Sequence, residues 1–226
     1  MGKLEHRLVG QGRWPMVVID DYHPEPRSLV DRAGALSDFD SNARDYYPGV
    51  KRPVDHVLYA ENIRKYSEAL LTSFGEVGDL IDSTYAIANR KPAELLPIQR
   101  IPHYDTADQN QLALVHYLCD PKCGGTAFYR HRSTKIERIS TRNEALFQQA
   151  LGREATTHGL PAADYVDGDT NLFEKVASVD ALFNRAIIYP ASLLHSGTIN
   201  PLVRSSQTVA TMRLTVTAHF EMLSIS

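Results

Sequence analysis

The chain has 226 residues, of which 43% are hydrophobic and 23% charged, as in an ordinary globular protein with a sizeable core. Its formal net charge is −3, and the absence of a basic run argues against a duplex nucleic acid as partner. The sequence has no apolar stretch of membrane-spanning length and no apolar signal-peptide core near Met1. We therefore predict one cytoplasmic domain over residues 1–226, without a membrane partner.

The N-terminal part, about residues 1–82, is predicted to contain a strand and two helices. A strand is predicted over residues 14–20, starting at a sheet edge because Pro15 has no N–H to donate. A helix follows from about Pro24, and residues 41–53 read as a loop. A second helix is predicted from about residue 60 to 82, where apolar residues recur at helical spacing, and Gly75 and Gly78 are candidates to break it in two.

From residue 83 to the end, short extended runs separated by turn residues predict an all-β sandwich or barrel, and we assign a β-barrel core. The predicted strands are 84–89, 95–101, 111–118, 126–132, 173–179, 185–189 and 208–220. A helical stretch over 143–151 and a Gly/Asp-rich segment interrupt this series, so we predict an insertion near 140–170 that acts as a lid. The fold class is therefore mainly β with flanking helices (α+β), and the N-terminal helices pack on one face.

The last predicted strand separates its residues into an apolar and a mostly polar face. Arg213 and Thr215 lie on the polar face, because side chains alternate along a strand. A surface strand would turn this face to water, whereas a strand in a ligand-holding barrel would turn it into the cavity. The alternation alone leaves both arrangements open.

One motif carries candidate metal ligands. In His103-Tyr104-Asp105 the imidazole and the carboxylate lie on the same side of an extended segment. A second imidazole from a distant strand, for which His195 is the candidate, would complete a facial triad of two histidines and one carboxylate. Such a triad binds Fe(II) and leaves coordination positions open. An arginine on the last long strand, Arg213, could then bind the carboxylate of an organic co-substrate.

Other histidines offer weaker alternatives. His23 and His219 each stand two residues before a glutamate, which is also a ligand spacing. The first opens a helix behind a proline and the second closes a strand, so neither is assigned as a ligand. His116 falls on the apolar face of a predicted strand and is interpreted as a core histidine.

The order of these motifs resembles the 2-oxoglutarate/Fe(II)-dependent oxygenase superfamily. His103-x-Asp105 is followed by Gly124-Gly125-Thr126, by Tyr189-Pro190 ahead of His195, and by Arg213-x-Thr215. The likeness is greatest to the prolyl 4-hydroxylase-like branch, and within it to uncharacterised bacterial members with a Gly-Gly-Thr-x-Phe-Tyr-Arg-His-Arg stretch, here residues 124–132. The resemblance implies a double-stranded β-helix, the jelly-roll or cupin-like barrel.

The resemblance also implies cofactors and roles for individual residues. Fe(II) would be held by His103, Asp105 and His195, and 2-oxoglutarate and O₂ would be co-substrates. Arg213 would pair with the distal carboxylate of 2-oxoglutarate, with the Thr215 hydroxyl beside it; Tyr117 and Thr126 are further candidates for hydrogen bonds to it. The implied reaction is oxidative decarboxylation of 2-oxoglutarate coupled to C–H oxidation, with hydroxylation as the default outcome.

Three departures from the family pattern affect these assignments. Arg100 stands where a tyrosine is often found, three residues before the first ligand. Eighteen positions separate His195 from Arg213, more than is usual, which leaves Arg204 as a rival anchor for the co-substrate. Thr215 replaces the more usual serine.

The sequence leaves the substrate and two other functions open. The predicted substrate is a small molecule or an amino-acid or peptidyl group; Arg130, His131 and Arg132 are candidates for contact with an acidic one, and a homodimer stays open. A cupin-like metal-binding protein, either an isomerase or a 2-oxoglutarate-independent dioxygenase, would need no inward arginine. A non-catalytic binding barrel would neither bind Fe(II) specifically nor release succinate.

Cys119 and Cys123 are interpreted as reduced thiols, since a zinc site needs further nearby ligands.

Overall fold

The computed structural model of the chain describes residues 2–36, 39, 47–201 and 212–223. Within them the chain is mainly β-sheet with few helices, as predicted. The helices are α1 (Pro26–Ala35), α2 (His56–Arg64), α3 (Ser67–Phe74) and α4 (Glu144–His158). None of the helices in these residues has both the length and the apolar character needed to cross a membrane.

The strands form two antiparallel sheets. The large sheet has the order β1 (Leu4–Val9), β2 (Trp14–Ile19), β8 (Arg185–Pro190), β5 (Gln111–Tyr117), β10 (Arg213–Met222), β4 (Val77–Ala88) and β3 (Gly49–Pro53). The small sheet has the order β7 (Phe173–Val179), β6 (Thr126–His131) and β9 (His195–Gly197). Apart from the β1–β2 hairpin, neighbours in both sheets are well separated in sequence, so long-range pairing brings the functional segments together.

The two faces of the large sheet bury different partners. On the outer face, Leu214, Val216 and Phe220 of β10 pack with residues of α1, α2 and α3. On the inner face, residues of β2, β5 and β8 share a core with the small sheet, where Tyr117 and Phe128 are fully buried. Each large apolar side chain buried in this way contributes roughly 1.5–3 kcal/mol to stability. The apolar face of β10 therefore meets the helices, and its polar face is directed between the sheets.

A closed barrel is not what the structure shows. Among the described residues no ladder of hydrogen bonds joins the two sheets, and each keeps its own edges, at β1 and β3 and at β7 and β9. The sheets instead pack face to face through their shared core. The predicted barrel is corrected to two open sheets.

The predicted helix over 60–82 is wrong beyond Phe74. The helix stops at Gly75, whose φ of 79° is readily adopted only by glycine. The chain then enters β4, whose residues pair with β10 from Val77 to Ala88. The apolar residues between 77 and 82 have helical spacing, but the ladder with β10 overrides that local preference.

The predicted strand over 95–101 is also wrong, because one 3₁₀ turn lies within this range and another directly precedes it. They span Pro92–Glu94 and Pro97–Arg100, and each begins with a proline. The Glu94 carboxylate accepts a hydrogen bond from the Lys91 N–H at 2.9 Å, and the Gln99 side-chain oxygen accepts one from the Leu96 N–H at 3.0 Å. These side-chain bonds satisfy the backbone locally, so no ladder forms.

Other boundaries differ at the ends of the chain and in one loop. The strands Leu4–Val9 and Gly49–Pro53 were not predicted; the second lies in a region that the sequence presents as a loop. The remainder of that loop, residues 41–46, lies outside the described residues, as do residues 208–211 of the last predicted strand and the rival anchor Arg204. Cys119 and Cys123 are free and buried.

His116 is a buried core histidine, as predicted, and both of its ring nitrogens have partners. Its Nδ1 lies 2.8 Å from the Tyr59 hydroxyl and its Nε2 lies 3.0 Å from Asn184 Oδ1. Asn184 Oδ1 can only accept, so the neutral ring donates from Nε2 and accepts from Tyr59 at Nδ1. A second proton would put a charge on a fully buried ring, and burial lowers the pKa of His116 to about 3.

We expect stability to fall between pH 7 and pH 5 because of this residue. Below pH ~6.5 the unfolded chain protonates His116 while the folded chain does not, so the free energy of unfolding falls by up to about 1.4 kcal/mol per pH unit until pH ~3. The part of this difference that His116 causes should be about 2 kcal/mol, measured as the change with pH in the gap between the wild type and a His116 variant in urea unfolding. His116→Leu should be less stable at pH 7 but should lose most of this pH dependence. An unchanged dependence in that variant would contradict the assignment.

Candidate metal centre

Three side chains predicted as metal ligands converge at one end of the space between the sheets. The ligand atoms of His103, Asp105 and His195 all lie within 4.8 Å of one another. Asp105 Oδ1 is 3.8 Å from His103 Nε2, and Asp105 Oδ2 is 3.8 Å from His195 Nε2. Two atoms bonded to one ion at about 2.0–2.2 Å can be up to about 4.4 Å apart. The two 3.8 Å separations from Asp105 are therefore within reach of a single cation.

Backbone hydrogen bonds place the three residues without help from a metal. The His103 N–H donates to the His195 carbonyl at 2.9 Å, and the His195 N–H donates to the His103 carbonyl at 2.8 Å. The Asp105 N–H donates to the Ala191 carbonyl at 2.9 Å. The predicted strand around His103 is reduced to this isolated bridge, which belongs to neither sheet ladder. The alternation of side chains survives, so both residues face the same side.

His195 presents the correct ring nitrogen to the centre. Its Nδ1 lies 2.8 Å from the Leu193 carbonyl oxygen, which can only accept a hydrogen bond. The proton is therefore assigned to Nδ1, and Nε2 keeps its lone pair on the side of Asp105. A backbone carbonyl that orients a histidine in this way is the usual outer partner of a metal-binding imidazole.

Asp105 is held as a carboxylate by the imidazoles around it. Burial by itself would raise the pKa of Asp105, but the neighbouring His195, His219 and His103 outweigh that effect and hold the pKa well below its usual value. The side chain remains 24% exposed towards the cavity. The group is thus ionised and accessible, as a metal ligand must be.

A fourth residue of the centre, His219, was not predicted. Its Nε2 lies 3.5 Å from Asp105 Oδ2, and its Nδ1 lies 2.9 Å from Asp82 Oδ1. Burial would lower the pKa of His219, but the bonds to Asp105 and Asp82 and their charges raise it to about 10. The sequence spacing to Glu221 pointed to the wrong acid, because the true partner lies opposite on β4. The useful signal was that His219 shares a strand face with Arg213.

A cavity of about 260 Å³ extends from the three residues into the space between the sheets. Three of the residues predicted to bind the co-substrate, Arg213, Thr215 and Thr126, line this cavity together with His219. Tyr117 was predicted with them. Tyr117 does not line it; its hydroxyl donates to Thr126 Oγ1 at 2.7 Å. Tyr117 therefore influences the cavity only through Thr126, whose own hydroxyl proton is free to donate to another acceptor.

Arg213 is a buried cation directed into this cavity. It is 6% exposed, and its guanidinium donates from Nη2 to the Gly125 carbonyl at 2.9 Å and from Nε to the Gly124 carbonyl at 3.4 Å. It also lies over the ring of Tyr117, 5.9 Å from the ring centre. None of the ion pairs between described residues involves Arg213. Since a buried charge without a counter-ion is unfavourable, this end of the cavity is suited to an anion.

Residues 130–132, the predicted substrate contacts at the end of β6, have partners within the protein. Arg130 pairs with Glu174, which lies opposite it on β7, and Arg132 pairs with Asp169 at 2.9 Å. His131 is fully buried, and its Nε2 lies 2.8 Å from Glu154 Oε2. None of the three lines the cavity. The polar groups of these three side chains are paired within the protein, with Glu174, Asp169 and Glu154.

The predicted insertion contains helix α4 and a following loop that reaches the cavity. The phenol of Tyr104, between the two ligand candidates, donates to Glu144 Oε1 at 2.6 Å and accepts from Gln148 Nε2 at 3.1 Å. Tyr165, beyond the helix, lines the cavity. The insertion thus contacts the metal-binding segment, and its action as a lid stays a prediction. Arg100 is directed away from the cavity, towards the Leu95 and Pro161 carbonyls.

Comparisons with known proteins agree with this fold. A family model described as "Family of unknown function (DUF6445)" matches residues 2–220. No curated protein matches the sequence. SnoK, described as a non-heme alpha-ketoglutarate-dependent carbocyclase from nogalamycin biosynthesis, has a similar structure, with a TM-score of 0.52, 12% identity, and coverage of 92% of this chain and 79% of that chain. This similarity shows a shared fold and nothing finer.

Two other solved structures are similar at a lower level. HygX from Streptomyces hygroscopicus, solved with nickel and 2-oxoglutarate bound, has a TM-score of 0.49, 12% identity, and coverage of 92% of this chain and 82% of that chain. EctD from S. alaskensis, solved with bound Fe, has a TM-score of 0.47, 9% identity, and coverage of 97% and 84%. The prolyl 4-hydroxylase-like branch stays a prediction.

Proposed function

Because the chain belongs to DUF6445, a family of unknown function, its activity has to be inferred from its site, and we propose that it is a non-heme Fe(II)- and 2-oxoglutarate-dependent oxygenase. In this proposal the two open sheets form the jelly-roll core of such enzymes, the double-stranded β-helix. The substrate is a small molecule or an amino-acid or peptidyl group, and the outcome is hydroxylation of a C–H bond.

One observation supports this proposal above the others. A single cavity has two imidazoles and a carboxylate at one end and a buried arginine without an ion-pair partner among the described residues further in. 2-Oxoglutarate has matching ends, with a keto acid that chelates a metal and a second carboxylate that pairs with a guanidinium. A cavity of about 260 Å³ offers room for a co-substrate of this size.

The donor set fits Fe(II). His103, Asp105 and His195 would hold the ion, since two imidazoles and one carboxylate are the ligands of non-heme Fe(II) oxygenases. When bound, the iron and 2-oxoglutarate supply the oxidising chemistry, with succinate and CO₂ as co-products and O₂ as co-substrate. The protein's own part is to bind, to orient and to exclude water.

The other pocket residues position the co-substrate. Arg213 would bind its distal carboxylate, because the guanidinium is already buried and oriented by the Gly124 and Gly125 carbonyls. Thr215 lies on the same face of β10, within the cavity lining. Thr126 Oγ1 accepts a hydrogen bond from the Tyr117 hydroxyl, so its own O–H is available as a donor. Arg213 also disfavours the cupin-like alternatives, which have no need of a buried cation at this position.

The proposal is tested by binding and by turnover of the purified protein. Anaerobic addition of Fe(II) and 2-oxoglutarate should produce a weak visible charge-transfer band. Succinate in place of 2-oxoglutarate is the matched control and should give no band, because it lacks the keto group that chelates the metal. Admission of O₂ should then release succinate slowly from 2-oxoglutarate, even without substrate. If neither the band nor succinate release is seen, the proposal is wrong.

The substrate is then found by the same readout. Succinate release should increase over the uncoupled rate when amino acids, peptides and small metabolites are screened and the correct class is reached. The product should carry one additional oxygen atom, detected by mass spectrometry. An increase in succinate with an unchanged product mass would argue against hydroxylation.

A further inference from the structure

His219 connects the candidate metal centre to an acid on the neighbouring strand. It lies directly opposite Asp82 in the ladder between β10 and β4. Its Nδ1 is 2.9 Å from Asp82 Oδ1, and its Nε2 is 3.5 Å from Asp105 Oδ2. The imidazole is thus held at one nitrogen by Asp82 while the other nitrogen faces the carboxylate proposed to bind iron.

The position of His219 matters for metal binding because an aspartate carboxylate can rotate and so present either oxygen to a metal. The torsion that turns the two oxygens of an aspartate is broad and roughly two-fold. Asp105 Oδ1 lies 3.8 Å from His103 Nε2 and Oδ2 lies 3.8 Å from His195 Nε2, so each oxygen faces one ligand candidate. Oδ2 also lies 3.5 Å from His219 Nε2. A donor on Oδ2 leaves Oδ1 to face the metal position. Ligating carboxylates are usually held by such an outer hydrogen bond, and its loss weakens metal binding.

We propose that His219, anchored by Asp82, is a positioning residue that holds Oδ2 of Asp105 and so orients Oδ1 towards the metal. The inference rests on the proposed function, because it assumes that Asp105 is a metal ligand. The positioning role requires a proton on Nε2 of His219. It does not require the imidazole ring to gain or lose a charge. His219 itself is not a ligand in this proposal; the set of groups that meets the metal-site spacing is His103, Asp105 and His195.

The test measures metal affinity and therefore does not depend on turnover. Metal-free protein is titrated with Co(II), whose visible absorption reports both binding and ligand geometry. His219→Ala should bind Co(II) about 10- to 100-fold more weakly than the wild type. His219→Gln should recover most of that affinity, because its amide nitrogen can replace the Nε2 donor. Asp82→Asn should lie between, since it weakens the anchor and leaves the imidazole in place.

Controls separate this role from general damage to the fold. His158→Ala, at the exposed C-terminal end of α4, removes a histidine far from the centre in sequence and should bind Co(II) like the wild type. The thermal unfolding temperatures of the metal-free variants should stay close to that of the wild type. If His219→Ala does not fold, His219→Gln and Asp82→Asn are compared with the wild type instead. In that case, wild-type Co(II) affinity and spectrum in Asp82→Asn would overturn the positioning role of His219.

Two outcomes overturn the role of His219. One is Co(II) affinity and spectrum in His219→Ala equal to those of the wild type. The other is a His219→Gln variant that folds but binds as weakly as His219→Ala, which would assign the effect to packing of the ring. Failure of the wild type itself to bind Co(II), or undiminished binding in Asp105→Ala, would instead refute the proposed metal centre. The two failures are therefore distinguishable.

Discussion

Replacement of Arg213 by methionine is expected to remove tight 2-oxoglutarate binding and to leave the metal centre in place. A buried guanidinium paired with a carboxylate loses about 2–5 kcal/mol when one partner is removed. This corresponds to a roughly 30- to 4,000-fold weaker affinity for 2-oxoglutarate. The measurement is titration of the charge-transfer band with 2-oxoglutarate at fixed Fe(II), under argon. Co(II) affinity without 2-oxoglutarate should be unchanged, because Arg213 is not one of the ligands.

The same variant should have nearly normal stability, which makes the loss of binding interpretable. Removal of Arg213 breaks hydrogen bonds to the Gly124 and Gly125 carbonyls, but it also removes a buried charge that pairs with no acid among the described residues. These effects oppose each other, so we expect the free energy of unfolding to change by less than about 2 kcal/mol. Methionine keeps much of the side-chain volume.

Arg132→Met is the matched control for this prediction. Arg132 is also an arginine on a strand-end segment, but it pairs with Asp169 outside the cavity. It should leave the affinity for 2-oxoglutarate within a factor of about two of the wild type, as expected for a surface ion pair. Equal affinities of Arg213→Met and Arg132→Met for 2-oxoglutarate would show that Arg213 is not the anchor. Arg204 would then be the remaining candidate.

Removal of one predicted metal ligand should have the other large effect. In Asp105→Ala and in His195→Ala we expect no charge-transfer band and succinate release at least ~100-fold slower than in the wild type. The basis is that even outer partners of a ligand affect affinity by about 10- to 100-fold, and a ligand itself matters more. Both side chains face the cavity, although His195→Ala also removes the Nδ1 hydrogen bond to the Leu193 carbonyl.

Matched controls for these variants lie on exposed helix surfaces. Asp31→Ala on α1 and His158→Ala at the end of α4 remove the same residue types outside the cavity. Both should retain the band and the rate of succinate release. Full retention of the band in His103→Ala and Asp105→Ala would refute the ligand assignment, whatever the rates of the controls.

The sequence supports some of these assignments better than others. His103 and Asp105 could be paired because residues two apart on extended chain share a side, and this holds even though only an isolated bridge forms there. Helix and strand patterns failed where local and long-range preferences disagree. The stretch from Val77 has helical spacing but pairs with β10, and Pro97 begins a turn in a stretch that reads as a strand.

What the sequence by itself determined is local: the residue types that can bind a metal, the side-chain alternation that groups Arg213 with Thr215, and the turns at glycine and proline. Only the tertiary structure decided which face of β10 is directed inwards, that Arg130 already has an acid as partner, and that His219 meets both Asp82 and Asp105. His219 and Asp82 are 137 positions apart. Their contact depends on strand order and register, which are set by packing of the whole core rather than by neighbouring residues.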